Sequence, residues 1–173
     1  MYRVVVTGSE CTGKTTTAAT AARLMNVPWV PEAARIYAEA KGSPLALSDV
    51  SLIARAHVLA VEEAQWPDPG LVILDTDLIS TVVYSRHYYG RCPRWIEREA
   101  RVRLADLYLL HVPDLPWHPD PSRDRGHLRA EMNALFVATL REYAASVIEI
   151  AGSGPARVER AIAAIRAIGV GRR

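Results

Sequence analysis

Cysteine, lysine and long apolar runs are all scarce in this chain of 173 residues. Two cysteines, Cys11 and Cys92, are too few for a disulfide framework and suit a reducing compartment. No apolar run approaches the roughly 20 residues that a membrane-spanning helix needs. The formal net charge of +2 is too small to indicate a nucleic-acid-binding protein. The sequence therefore predicts a cytoplasmic protein whose partners are small molecules rather than nucleic acids or membranes.

The length and the overall composition favour one globular domain. Half of the residues are hydrophobic and 23% are charged, which is typical of a folded protein rather than a disordered one. The chain opens directly on an apolar run, without the layout of a signal peptide. No linker or internal repeat divides it, so we expect residues 1–173 to form a single domain.

Short apolar runs alternate with longer helical segments along the chain. The strands are predicted over residues 3–7, 27–30, 71–74, 107–112 and 147–150. The helices are predicted over residues 15–25, 32–40, 48–65, 78–89, 94–104, 128–145 and 156–168. This alternation predicts an α/β fold in which helices cover both faces of a five-stranded parallel sheet.

A glycine-bounded loop lies between the first predicted strand and the first helix. Its sequence, GSECTGKT, matches G-x-x-x-x-G-K-[ST] at every fixed position and predicts a P-loop NTPase fold that binds ATP and Mg²⁺. Glycines let backbone N–H groups converge on one anion, and the helix that follows adds its dipole. The lysine can reach the β- and γ-phosphates, and the last threonine of the motif can ligate the metal ion. The predicted nucleotide-binding residues of the loop are Gly8, Ser9, Glu10, Cys11, Thr12, Gly13, Lys14, Thr15 and Thr16.

The lysine of this motif also stands out in the composition. Of the 21 basic residues, only Lys14 and Lys41 are lysine, and the other 19 are arginine. A lysine in such a chain invites a specific explanation, and phosphate binding supplies one for Lys14.

Two carboxylate-bearing segments follow predicted strands and are candidates for metal and acceptor binding. Asp75 and Asp77 follow the strand of residues 71–74, where a carboxylate that holds Mg²⁺ is expected. The same Asp-Thr-Asp sequence can instead cap the next helix, and the two roles are compatible. Glu32 and Arg35 follow the second predicted strand. Either Glu32 or Asp77 can accept the proton of a substrate hydroxyl that attacks the γ-phosphate. A first-turn glutamate stabilised by the helix dipole is the alternative for Glu32.

Further candidates lie in the second half of the chain. An arginine-rich segment at about residues 118–130 contains Arg123, Arg125 and Arg129, which we predict to close over a polyphosphate as a lid. A solvated surface loop is the alternative for this segment. Gly154 and Pro155 can let the backbone approach a planar base, or they form a simple turn. Tyr88 is one of several aromatic residues that can stack on a substrate ring, although packing in the core is the more common role.

Several segments together resemble a known family. They are GSECTGKTT, PEAARIYAE, ILDTD with a following helix that ends in HYYG, and VPDLPWHPDPSRDRG. In this order they resemble the ribosylnicotinamide kinase domain of the bacterial bifunctional NAD-biosynthesis regulators, over roughly residues 3–166. The helix-turn-helix and adenylyltransferase regions of those regulators have no counterpart here, so the resemblance predicts a stand-alone kinase.

The resemblance implies a specific reaction and a set of site residues. The reaction is the ATP-dependent phosphorylation of the 5′-hydroxyl of nicotinamide riboside, which gives nicotinamide mononucleotide. By motif match, Gly13, Lys14, Thr15 and Thr16 bind phosphate and metal. Glu32, Arg35 and Asp77 then face the acceptor, and Arg123, Asp124 and Arg125 belong to the lid. Another nucleoside or nucleotide as acceptor, or an ATP-binding sensor without an acceptor, are the alternatives that the sequence leaves open.

Overall fold

Five parallel strands form one sheet in the computed structural model, which describes residues 1–116 and 129–169. The strands are β1 (Tyr2–Thr7), β2 (Trp29–Val30), β3 (Leu71–Asp75), β4 (Leu107–His111) and β5 (Val147–Ile150). They lie in the order β2-β3-β1-β4-β5. The predicted five-stranded parallel sheet is thereby confirmed, and β1 is its central strand.

Seven helices connect and cover the strands within the described residues. They are α1 (Lys14–Met25), α2 (Ala33–Lys41), α3 (Leu47–Ala64), α4 (Leu78–Tyr89), α5 (Arg94–Val102), α6 (Arg129–Glu142) and α7 (Gly154–Ala167). None of these helices is long and apolar enough to cross a membrane. The predicted lid at residues 118–130 lies almost entirely outside the described residues, and only its last two positions belong to α6.

Alternate side chains of each buried strand pack on opposite faces of the sheet. Val5 of β1 packs with side chains of α3, α4, α5 and α6 on one face. Its neighbours Val4 and Val6 pack with α1 and α7 on the other. A parallel strand that is covered on both faces needs apolar residues at consecutive positions, which explains the run RVVV at the start of the chain.

The order of the strands places the functional segments at one edge. β1 pairs with β3 on one side and with β4 on the other. The chain first adds β2 and β3 on one side of β1 and then crosses over to add β4 and β5 on the other side. In such sheets, ligands bind outside the carboxyl ends of the strands at this crossover. The loop after β1 and the residue Asp75 at the end of β3 both lie at this edge, since Val6 pairs with Asp75.

The second strand is shorter than the sequence predicts. The apolar run covers residues 27–30, but only Trp29 and Val30 are in β2. The Val27 N–H donates to the Ala22 carbonyl and so completes the end of α1. Pro28 has no N–H to donate, although its carbonyl accepts from Ile73. Two residues therefore remain for the strand itself.

Removal of the Phe136 ring tests the packing between α6 and the sheet. Phe136 is fully buried, and its ring meets Tyr84 edge-to-face at 5.7 Å between centroids. We expect Phe136→Ala to lower the free energy of unfolding by about 3–5 kcal/mol because it leaves a cavity. Urea denaturation measures this, with Val102→Ala as the control, since Val102 is 73% exposed on α5. Equal losses in the two variants would contradict the assignment of Phe136 to the core.

Candidate active site

The loop between β1 and α1 has the tight curvature that phosphate binding requires. Gly8, Cys11 and Gly13 all have positive φ, at 127°, 53° and 76°. A Cβ atom built on Gly8 would lie 2.7 Å from the carbonyl oxygen of His111, so only glycine fits there. Gly13 is the N-cap residue of α1. The loop therefore leads straight into a helix N-terminus, where backbone N–H groups and the dipole favour an anion.

The lysine of the loop folds back across it. Lys14 is largely buried, and its Nζ donates a 2.8 Å hydrogen bond to the Ser9 carbonyl. The Thr12 hydroxyl donates to the same carbonyl at 2.9 Å. The hydroxyl of Ser9 is buried and makes no hydrogen bond to another described residue. Lys14 and Ser9 thus place an ammonium group and a hydroxyl group in this loop of residues 8–15, the phosphate loop.

One hydroxyl and one carboxylate at this edge suit a magnesium ion. Thr15 is half-buried in the first turn of α1, and Asp75 is 1% exposed at the end of β3. The two residues follow neighbouring strands at the same edge of the sheet. Hydroxyl and carboxylate oxygens are the hard ligands that Mg²⁺ takes, so the donor chemistry fits the predicted metal site.

Asp77 is built into the fold as a helix cap. Its Oδ1 accepts hydrogen bonds from the N–H groups of Ile79 and Ser80, at 3.0 and 3.3 Å. Its Oδ2 accepts from the Tyr108 hydroxyl at 2.7 Å. Burial raises the pKa of Asp77 to about 6, and burial likewise raises the pKa of the Tyr108 hydroxyl that donates to it. Both oxygens are engaged, so the capping role that the sequence left open is present here, while the acceptor-side role of Asp77 stays a prediction.

The predicted acceptor-side residues lie on separate elements. Glu32 is half-buried at the N-cap position of α2, just after β2, and its side chain makes no capping hydrogen bond. Arg35 donates from Nε to Glu39 at 3.0 Å, and its side chain is about half exposed. Tyr88 lies in the last turn of α4, where its ring is stacked parallel to Tyr84 at 6.1 Å. Glu32 is therefore a second carboxylate position at the edge where the strands end, besides the Asp75–Asp77 segment, whereas Tyr88 belongs to an aromatic group on α4.

The remaining sequence predictions concern the arginine-rich segment and the turn after β5. Arg123 and Arg125 lie outside the described residues. Arg129, the first residue of α6, donates to the Leu115 carbonyl at 2.9 Å and approaches the Cys11 carbonyl of the phosphate loop at 3.5 Å. Gly154 and Pro155 begin α7 and are exposed.

A buried basic group, which the sequence does not indicate, lies behind the phosphate loop. Arg157 is only 2% exposed, and its NH1 donates to the Thr12 carbonyl at 2.7 Å. The same carbonyl lies 2.8 Å from Nδ1 of His111. Burial lowers the pKa of His111 to about 4, so its ring is neutral at pH 7, and its Nδ1 also lies 3.2 Å from NH1 of Arg157. A polar residue at the end of a buried strand was a usable signal for His111, but no local pattern marks Arg157.

Known proteins that resemble this chain include NAD-biosynthesis regulators. The protein family named AAA domain matches residues 3–157 of this chain. The Trifunctional NAD biosynthesis/regulator protein NadR of Escherichia coli (strain K12) is 28% identical over 145 residues, and that of Salmonella typhimurium is 27% identical. Each match covers 80% of this chain and 35% of the relative. The chain thus spans about a third of the length of these curated relatives.

Solved structures share the fold across almost the whole chain. A NadR protein in complex with nicotinamide riboside (NR) has a TM-score of 0.86 at 26% identity, over 99% of this chain and 51% of that one. A NadR protein in complex with NAD and AMP-PNP has a TM-score of 0.77 at 27% identity, over 99% and 50%. Thymidylate kinase from Ehrlichia chaffeensis, 14% identical, has a TM-score of 0.67 over 96% and 97%. The predicted P-loop fold and the resemblance to the NAD-biosynthesis regulators are confirmed.

Replacement of Asp77 tests its role as a buried cap. The folded protein raises the pKa of this carboxyl from 3.8 to about 6. Because the folded state then binds the proton more tightly than the unfolded state, the free energy of unfolding falls as pH rises from about 4 to about 6. Asp77→Asn removes this titration. We expect its stability relative to the unchanged protein to improve by on the order of 3 kcal/mol between pH 4 and pH 7, at about 1.36 kcal/mol per pKa unit.

Urea denaturation at a series of pH values measures this difference. Asp68→Asn is the control, since Asp68 is an exposed carboxyl that also accepts a backbone N–H, from Gly70. A difference between Asp77→Asn and the unchanged protein that stays constant across this pH range would contradict the assignment.

Proposed function

Because this chain belongs to the AAA domain family, whose match includes the phosphate loop and the strands β1, β3 and β4, we propose that it is an ATP-dependent kinase acting on nicotinamide riboside. The product is nicotinamide mononucleotide, phosphorylated at the 5′-hydroxyl. The observation that carries the proposal is the likeness, over nearly the entire chain, to a NadR protein bound to nicotinamide riboside. We propose further that residues 1–173 work as one kinase domain in the cytoplasm.

The nucleotide end of the site is the phosphate loop. Its backbone N–H groups and Lys14 hold the β- and γ-phosphates, and Lys14 is already folded onto the loop through Ser9. Thr15 and Asp75 would hold Mg²⁺, which supplies positive charge against the phosphate oxygens when it is bound. In phosphoryl transfer, positioning and charge neutralisation contribute more than covalent chemistry by the protein.

The acceptor end of the site supplies the nucleophile and the group that takes its proton. The 5′-oxygen of the riboside forms a bond to the γ-phosphorus, and the bond from that phosphorus to the β–γ bridging oxygen breaks, which releases ADP. Glu32 accepts the hydroxyl proton in this proposal, because both oxygens of Asp77 are hydrogen-bonded within the fold. Arg35 would orient the riboside, and Arg123 and Arg125 would neutralise the charge that develops on the transferred phosphoryl group.

The likeness to thymidylate kinase favours another nucleoside or nucleotide as a second class of acceptor. The similarity in fold to thymidylate kinase extends over both chains almost completely. Kinases of one fold act on different nucleosides and nucleotides because the acceptor pocket varies while the phosphate loop does not. A panel of nucleosides and nucleoside monophosphates is therefore part of the test.

Product analysis tests the proposed reaction. We expect the purified protein with MgATP and nicotinamide riboside to form nicotinamide mononucleotide and ADP in equal amounts, as measured by liquid chromatography. Lys14→Ala should lower this rate by at least about a hundredfold, because an ammonium group on the transferred phosphate is lost. Its unchanged thermal unfolding would show that the fold is intact.

Two results of this assay would contradict the proposal. Release of ADP at one rate with and without any acceptor would indicate an ATP-hydrolysing or sensing protein. Phosphorylation of another nucleoside or nucleotide in preference to nicotinamide riboside would keep the kinase chemistry and change the substrate.

The choice of acceptor-side carboxylate gives a separate prediction. We expect Glu32→Gln to lower kcat by about 10²- to 10⁴-fold, the range for loss of a general base, with little change in the KM for ATP. Glu63→Gln is the matched control, since Glu63 is an exposed residue of α3. Steady-state kinetics with ATP and acceptor varied separately measure both constants. A loss in Glu32→Gln no larger than in the control would exclude Glu32 as the proton acceptor.

A further inference from the structure

Arg157 joins three segments that are far apart in the sequence. Its NH1 donates to the carbonyl of Thr12 in the phosphate loop at 2.7 Å. Its Nε donates to the carbonyl of Gly152, in the turn between β5 and α7, at 2.6 Å. Its NH2 donates to Oδ1 of Asp114, in the segment that follows β4. All three arms of one guanidinium group are thus occupied by different parts of the same edge of the sheet.

Asp114 contacts both Arg157 and the Gly152 backbone. The second oxygen of its carboxylate, Oδ2, accepts the N–H of Gly152 at 2.6 Å. Gly152 is therefore held from both sides, through its carbonyl by Arg157 and through its N–H by Asp114. At the other end, Nδ1 of His111 lies 2.8 Å from the same Thr12 carbonyl and 3.2 Å from NH1 of Arg157. These side chains form a continuous polar link from the phosphate loop to the turn after β5.

Burial makes this link rigid. The side chain of Arg157 is 2% exposed, whereas that of Asp114 is 35% exposed. A buried guanidinium group is tolerated only where its donors are satisfied, and a group with three fixed acceptors has no alternative arrangement of similar energy. The distance between the phosphate loop and the turn is consequently set before any ligand binds.

We propose that Arg157 is a positioning residue that fixes the phosphate loop relative to the turn after β5. The phosphates and the base of one bound nucleotide are then held at a set distance from each other. The inference rests on the proposed function, since it takes ATP as the ligand. We take the turn of residues 151–155 as the base side, because it lies at the same edge of the sheet as the phosphate loop and Gly154 is exposed, with no atom within 4 Å of the position of a Cβ. Preorganised sites gain affinity because binding orders fewer groups.

Two ligands separate this role from a purely structural one. Inorganic tripolyphosphate contacts the phosphate loop alone, whereas ATP spans the loop and the turn. If Arg157 sets the distance between them, Arg157→Gln weakens ATP more than tripolyphosphate. We expect the ratio of the Kd for tripolyphosphate to the Kd for ATP to fall by about fivefold or more, the lower end of ordinary coupling between two sites. Isothermal titration calorimetry with Mg²⁺ present measures both constants.

A neighbouring arginine provides the matched control. Arg160 lies on the same helix and donates from NH1 to the Ala151 carbonyl of the same turn at 2.7 Å, and it is exposed. Its hydrogen bond is to the turn and does not reach the phosphate loop. Arg160→Gln should leave the ratio of the two Kd values within about twofold of the unchanged protein, as expected for an exposed side chain. Arg157→Lys, which keeps the charge but not the three-armed geometry, should give an intermediate ratio.

A second variant keeps the test valid if Arg157→Gln does not fold. Asp114→Ala removes the Asp114 contacts with Arg157 and Gly152 at a partly exposed side chain, and it should lower the ratio in the same direction. An unchanged ratio in the folded variants, or an equal fall in Arg160→Gln, would overturn this inference alone. Failure of the unchanged protein to bind ATP would overturn both it and the proposed function. ATP binding with a lowered ratio but no phosphorylation of nicotinamide riboside would support the inference and contradict the proposed acceptor.

Discussion

The close approach of Gly8 to the carbonyl of His111 determines the shape of the whole functional edge. β1 and β4 are adjacent, and a side chain of any size on Gly8 would push their ends apart, because its Cβ would lie 2.7 Å from that carbonyl oxygen. With glycine there, the loop after β1 curls directly over the end of β4. The His111 ring then reaches the Thr12 carbonyl at 2.8 Å. The phosphate loop therefore packs against His111 at the end of the neighbouring strand, β4.

Local patterns were sufficient to predict the sheet and the phosphate loop. Consecutive apolar residues such as Val4, Val5 and Val6 are required by a parallel strand buried on both faces, so they are readable without a structure. The motif around Lys14 has fixed spacing because its chemistry lies within eight consecutive residues. The length of β2 was not predictable in the same way, since it depends on a hydrogen bond from Val27 to α1.

The role of Asp77 and that of Arg157 depend on contacts between residues far apart in the chain. The sequence gives Asp77 two compatible roles, and the structural one includes a hydrogen bond from Tyr108, 31 residues later, that no local pattern shows. Arg157 lies 145 residues from Thr12 and carries no motif. A basic residue in the first turns of a helix is commonly a solvated one, and only the topology, which brings α7 beside α1, buries this one. Sequence patterns report local geometry, whereas these two roles arise from tertiary packing.

Lys14 and Arg157, the buried cations of the site among the described residues, are different residue types for physical reasons. Lys14 has a single ammonium group on a flexible stem, which can leave the Ser9 carbonyl and follow a phosphate as charge develops during transfer. Arg157 has a planar group whose three arms meet Thr12, Gly152 and Asp114 at once, and it cannot exchange one partner without disturbing the others. At this site, lysine therefore stands where the cation must move and arginine where it must stay.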